Sequence, residues 1–219
     1  MIAYLFYVGI GIALGVVAVR MTREYVGDPV VFLCGGVIAY VAALFAHIRF
    51  AHGIPAWPAF ERANIYRTIG WAVVLVVVGR FLEMMVHGAW LRILRGYDDS
   101  FHLNPALSLS FGSRYFGRTT AAAVGLFNAC FIAPIVEEVL CRSGLYRILK
   151  GRFSVTVAAG GSALLFALMH RSVSAFPSLF VVGILCCWIY EQTGDIRGPI
   201  LFHAGGNLLA WLGALGVAG

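Results

Sequence analysis

Apolar residues run through this chain in long blocks, with polar residues gathered between the blocks and no period-2 alternation inside them. Seven such runs are legible: Met1 to Val19, Val30 to Ile48, Ile65 to Val86, and about 119–136, 154–170, 176–191 and 199–217. At 1.5 Å per residue, about 20 residues of helix cross a hydrocarbon core of about 30 Å. Lipid offers the backbone no hydrogen-bonding partner, so spans of this kind are expected to be helices. The predicted fold class is all-α, a polytopic transmembrane helix bundle forming one integral-membrane domain over residues 1–219. The first run lacks a basic leader segment and a small-residue cleavage site before Arg20 and Arg23, so it is expected to be a retained span. Residues 87–118 break the pattern. Arg92, Arg95, Asp98, Asp99, Arg114 and Arg118 alternate there with Trp90, Tyr97, Phe101, Phe111 and Phe116, which predicts an interfacial amphipathic segment.

Composition sharpens this picture. The 219 residues are 61% apolar and 12% charged, and the mean hydropathy is +0.88. A soluble domain carries about 25% charged residues. A water-soluble, disordered or disulfide-scaffold protein is excluded on these numbers. The net charge of +6 comes from arginines between the apolar runs, where they face headgroups; the partner is the lipid bilayer, with no nucleic acid. Five cysteines lie in or beside apolar runs without C-x-x-C or Cys/His metal spacing, and read as small buried hydrophobes.

Ionisable residues at membrane depth each cost about 2.5–3.5 kcal/mol on insertion scales and therefore require a partner or a purpose. Arg80 and Glu83 lie three apart on one helical face and can pair. His47, His52, His87 and His102 sit at run ends or in loops and are assigned no role. The second half of the chain is different. Glu137, Glu138 and Arg142 stand in APIVEEVLCRSG, Phe166 and His170 in FALMH, and His203 and Asn207 in FHAGGN. Three apolar helices thus carry polar groups near their ends, where a shared wet cavity could collect them.

The spacings give this grouping physical content. Glu138 and Arg142 are four apart, so the guanidinium can neutralise a carboxylate on its own face. Glu137 points about 100° away and is left to act as a base. His203 and Asn207, also four apart, aim two donors at one region, with Gly205 and Gly206 between them allowing close approach. Phe166 shares a face with His170 and can wall off the imidazole. Pro134, one turn before the carboxylates, removes a helix hydrogen bond and opens the backbone.

With these residues in view, the sequence resembles the CAAX-protease and bacteriocin-processing family of glutamic intramembrane proteases. The family pattern, E-E-x-x-x-R, then F-x-x-x-H, then H-x-x-x-[ND] on successive helices, is matched in order between about 119 and 210. The resemblance implies about seven to eight helices around a polar cavity. It also implies an endopeptidase in which Glu137 activates water with help from His170, while His203 and Asn207 hold the oxyanion. Glu138, Arg142 and Phe166 would support them. No cofactor is implied. Glu137, His170 and His203 would also make a zinc set, but they come from three helices and the H-E-x-x-H helix of zincins is absent. The implied partner is a membrane-anchored or lipid-modified protein or peptide cut at a C-terminal tail, leader or sorting signal. The arginine-rich, lysine-poor chain points to a prokaryotic cytoplasmic membrane. The residues alone leave other readings open: polar glue between helices, a non-catalytic relative such as an immunity or scaffold protein, or a small transporter.

Overall fold

The computed structural model describes residues 65–94, 118–170 and 172–217, and within them every regular element is a helix. The expected spans at 1–19 and 30–48 lie outside the described residues. Helix α1 covers Ile65–Leu94, 30 residues and thus about 45 Å long. The third run, expected to stop at Val86, therefore continues into the stretch assigned to an interfacial segment. The remainder of that stretch up to residue 117 lies outside the described residues. Thr68, Ala72, Leu75 and Gly79 form the buried stripe of α1, while Val73, Val77, Phe81 and Met84 are exposed to the surroundings.

The fourth run does not end before the acidic motif. From Arg118 to Lys150 the chain is helical without interruption: α2 (Arg118–Phe127), a π-helical turn (Asn128–Ile132), α3 (Ala133–Glu138), a second π segment (Val139–Tyr146) and α4 (Arg147–Lys150). Glu137, Glu138 and Arg142 are therefore inside a membrane helix rather than just beyond it. Pro134 accounts for the first π turn. Its ring would strike the carbonyl four residues back, and widening the helix over 128–132 relieves that clash.

Helix α5 (Val155–Met169) is capped by Ser154, whose hydroxyl accepts from the Val157 amide at 3.4 Å. Helix α6 (Phe176–Thr193) ends on Gly194 at φ 64°, a left-handed conformation that glycine adopts without strain. The buried Asp195 then takes the Arg197 amide at 2.9 Å to start α7 (Arg197–Val217). Two apolar clusters tie these helices. Ala72, Leu75, Cys186, Ile189 and Phe202 join α1, α6 and α7. Tyr146, Ala158, Cys187, Tyr190 and Ile196 join the second π segment to α5, α6 and the turn before α7. Trp211 packs on Ala122, Leu126 and Ala129, which fastens α7 to the first half of the long helix.

Among the described residues, three helical stretches are long and apolar enough to cross a membrane: Ile65–Leu94, Ala122–Lys150 and Phe176–Thr193. Val155–Met169 is also apolar but shorter. The protein is an integral membrane protein with an all-helical described core. Helices α5 and α6 approach especially closely, because lipid supplies no hydrophobic drive and packing must come from small residues. A Cβ on Gly183 would stand 2.8 Å from both Cα and Cβ of Ala163. Gly183→Val is therefore expected to wedge α5 from α6 and to cost about 1–3 kcal/mol by overpacking. Thermal unfolding in detergent tests this: a melting temperature equal to that of the unmodified protein would show that the two helices are not in contact there.

Candidate active site

Glu138 and Arg142 are the centre of the assembly, and both side chains are 0% exposed. Arg142 donates from Nη1 to Glu138 Oε1 at 3.1 Å, and its Nε stands 3.0 Å from Oε2. A second nitrogen, Nη2, donates to the Gly183 carbonyl on α6 at 3.0 Å. The guanidinium carbon also lies 4.9 Å from the Phe166 ring centroid, a cation–π contact with α5. One buried cation thus joins the long helix to α5 and α6.

The same carboxylate reaches α7. His203 Nδ1 is 2.9 Å from Glu138 Oε1. An ionised carboxylate only accepts, so Nδ1 carries the proton and donates. That bond turns His203 Nε2 toward Glu137, 4.0 Å from its Oε2. His170 is fixed by the same logic. Its Nδ1 is 2.8 Å from the Phe166 carbonyl, which also only accepts, so Nδ1 donates and Nε2 faces Glu137 Oε2 at 3.8 Å. Two imidazoles from α5 and α7 therefore present the same nitrogen to one carboxylate oxygen on α3. Glu137 itself is mostly buried, with 12% of its side chain exposed.

Phe166 does more than its four-residue spacing from His170 indicated. Its ring lies 4.7 Å from His170 and meets His203 edge-on at 5.8 Å, so it contacts both imidazoles and Arg142. It is an apolar surface shared by Arg142 and both imidazoles.

Asn207 is placed differently from the sequence expectation that it and His203 aim donors at one region. Its Nδ2 donates to the Ala129 carbonyl at 2.7 Å, while His203 binds Glu138. The cause is Pro134. In the π turn the Ala133 amide donates five residues back, to Asn128. In that register the next amide would satisfy Ala129, but residue 134 is proline and has none. The carbonyl left over is the one Asn207 takes. One N–H of the Asn207 amide is thus used in holding α7 to the long helix, and its second N–H is the donor available for chemistry.

The Glu138–Arg142 and Phe166–His170 pairings expected from four-residue spacing are present. The link from Glu138 to His203, 65 residues away, and the proline-to-asparagine link across two helices carry no local sequence signal. Two outcomes test this construction. Removing one partner of a buried ion pair costs about 3–5 kcal/mol, so Arg142→Ala is expected to lose most of its folded, membrane-inserted yield, measured by size-exclusion profile. A profile like that of the unmodified protein would contradict the central role of the pair. Pro134→Ala restores an amide that competes for Ala129 and is expected to release Asn207, visible as a shifted side-chain amide resonance. An unchanged resonance would overturn the link.

Neither a curated protein nor a solved structure matches the chain. Residues 119–209 match the model of the Rce1-like family, described as type II CAAX prenyl endopeptidase Rce1-like, and residues 1–118 lie outside that match. All three polar motifs fall inside the matched span, so this part of the chain is similar to the CAAX-protease family.

Proposed function

We propose that this membrane protein is an endopeptidase in which Glu137 activates water against a peptide bond of a membrane-anchored or lipid-modified protein. The observation that carries the reading is the meeting of Glu137 Oε2 with His170 Nε2 at 3.8 Å and His203 Nε2 at 4.0 Å. A water making hydrogen bonds of about 2.8 Å to two atoms so spaced subtends about 85–90° between them. Zinc ligands at 2.0–2.1 Å in a tetrahedron lie only about 3.3 Å apart. Among the described residues, no three His, Cys, Asp or Glu side chains form a group spaced to hold a metal ion. The spacing therefore favours water over zinc, and the proposed chemistry is metal-free.

In the proposed reaction His203 holds a proton on each ring nitrogen, with Nδ1–H bound to Glu138 and Nε2–H facing the site. Water donates to Glu137 and to the Nε2 of His170, which orients it. Its oxygen attacks the scissile carbonyl carbon as Glu137 takes the proton. His203 Nε2–H and the second N–H of Asn207 hold the oxyanion. On collapse the C–N bond breaks, Glu137 returns the proton to the leaving nitrogen, and the products are a carboxylic acid and an amine.

The substrate class proposed is a C-terminal tail, leader or sorting segment delivered from the bilayer, in a prokaryotic cytoplasmic membrane. Comparing C-terminally tagged membrane and secreted proteins in cells with the unmodified or the Glu137→Gln protein tests this directly. Tail processing is expected only with Glu137 intact, and an identical fragment pattern in both would overturn the proposal. In purified protein, His170→Ala and His203→Ala are expected to lower turnover about 10²–10⁴-fold, and Asn207→Ala about 10²–10³-fold. Dialysis against a chelator is expected to leave the rate unchanged, whereas a loss reversed by zinc would contradict metal-free hydrolysis.

A further inference from the structure

Helix α5 is shorter than the layer it stands in. Its 15 residues, Val155–Met169, rise about 22 Å, against a hydrocarbon core of about 30 Å. Any tilt lowers that span further. The apolar run is closed at both ends in the sequence: Lys150 and Arg152 precede it, with Ser154 as the cap, and His170 and Arg171 follow Met169 directly. Protein does not sheathe the ends. Val155 and Val157 in the first turn, Leu168 in the last and Val173 in the turn beyond are each about half-exposed, so apolar side chains meet lipid at both ends.

The neighbouring elements mark the same two levels. Helix α6 joins α5 through the short turn after His170, and its 18 residues rise about 27 Å. On the His170 side, Trp90 of α1 donates its indole N–H to the Val173 carbonyl at 2.9 Å. An indole, with its apolar body and polar tip, favours the membrane–water boundary. On the opposite side, Lys150 meets Glu191 at 2.6 Å across the ends of α4 and α6, and Arg197 meets Asp195 at 2.7 Å before α7. The Ile65–Leu94 and Ala122–Lys150 stretches have 30 and 29 residues. Long helices can tilt into a thin layer, but a short one cannot stretch to fill a thick one. The shortest helix therefore sets the thickness along its side of the bundle.

We infer that the protein thins the bilayer along α5 and α6, and that acyl-chain length thereby regulates the site. His170 is the C-cap of α5, so the thinned surface falls at its level. Its Nε2 is 3.8 Å from Glu137 Oε2. Water at that surface reaches the residue proposed to orient it without crossing hydrocarbon, whereas longer chains cover His170. The regulatory half of the inference rests on the proposed hydrolysis at Glu137; the thinning does not.

Thinning is read without turnover. Nitroxides on Val155→Cys and Leu168→Cys in dioleoyl-phosphatidylcholine nanodiscs report depth by their relative access to oxygen and to a water-soluble nickel chelate, with the unmodified protein labelled as the blank. Both labels are expected at the water boundary. Either one reading hydrocarbon, as in a bilayer of full thickness, overturns the inference. Turnover is then read on the tagged protein whose tail processing requires Glu137, in dimyristoleoyl-, dioleoyl- and dierucoyl-phosphatidylcholine, which differ in chain length alone. The rate is expected to fall at least about fivefold from the shortest chains to the longest, since each ångström of mismatch adds a cost. A flat or rising series overturns the regulatory half. Labels at the boundary in a protein that processes nothing would leave the thinning standing while hydrolysis at Glu137 fell.

Discussion

A guanidinium and a carboxylate with no access to solvent, Arg142 and Glu138, set the terms for the rest of this bundle. Burying two charges in a membrane interior is tolerable only when their remaining hydrogen-bonding capacity is met. Groups that meet part of it come from three neighbouring helices. The Gly183 carbonyl on α6, the Phe166 ring on α5 and the His203 imidazole on α7 all converge on this pair. Satisfying one buried ion pair therefore fixes the relative positions of four helical segments. Glu137, next in sequence and turned about 100° away, is carried by the same arrangement to the two Nε2 atoms.

The backbone contributes as much as the side chains. A proline in a membrane helix must leave a carbonyl without its amide, and that carbonyl must find another donor. Here the π turn selects Ala129 as the orphan, and Asn207 supplies the donor. A local defect on one helix thus becomes a specific bond to another. The second π segment, Val139–Tyr146, carries Arg142 and is buried throughout. The two departures from α-helix flank the short α-helical segment that carries Glu137, and π turns commonly lie near functional sites.

Much of this was legible in the sequence because it is local. Apolar run length gave the helices, and four-residue spacing gave the Glu138–Arg142 and Phe166–His170 pairings. Helix ends were less legible. Hydropathy falls after Val86, yet α1 runs on to Leu94 because a helix ends where its hydrogen bonds end, not where its apolar content drops. The acidic motif was likewise expected beyond a span and is found inside one. Long-range partners were not legible at all. Nothing near His203 indicates that its Nδ1 is held by Glu138, and nothing near Asn207 points to Ala129. The Arg80–Glu83 pair was readable as a pair, but only the packing of α1 on α7 brings the Arg80 stem to Gly206.

The orientation of His203 is the point at which the ion pair, the fold and the proposed chemistry meet. ¹⁵N solid-state NMR of histidine-labelled protein in lipid bilayers reads it directly, with His203→Gln identifying the resonance. A protonated Nδ1 whose shift moves in Glu138→Gln is the expected result. A His203 with bare Nδ1, or one indifferent to Glu138→Gln, would contradict the account at its root.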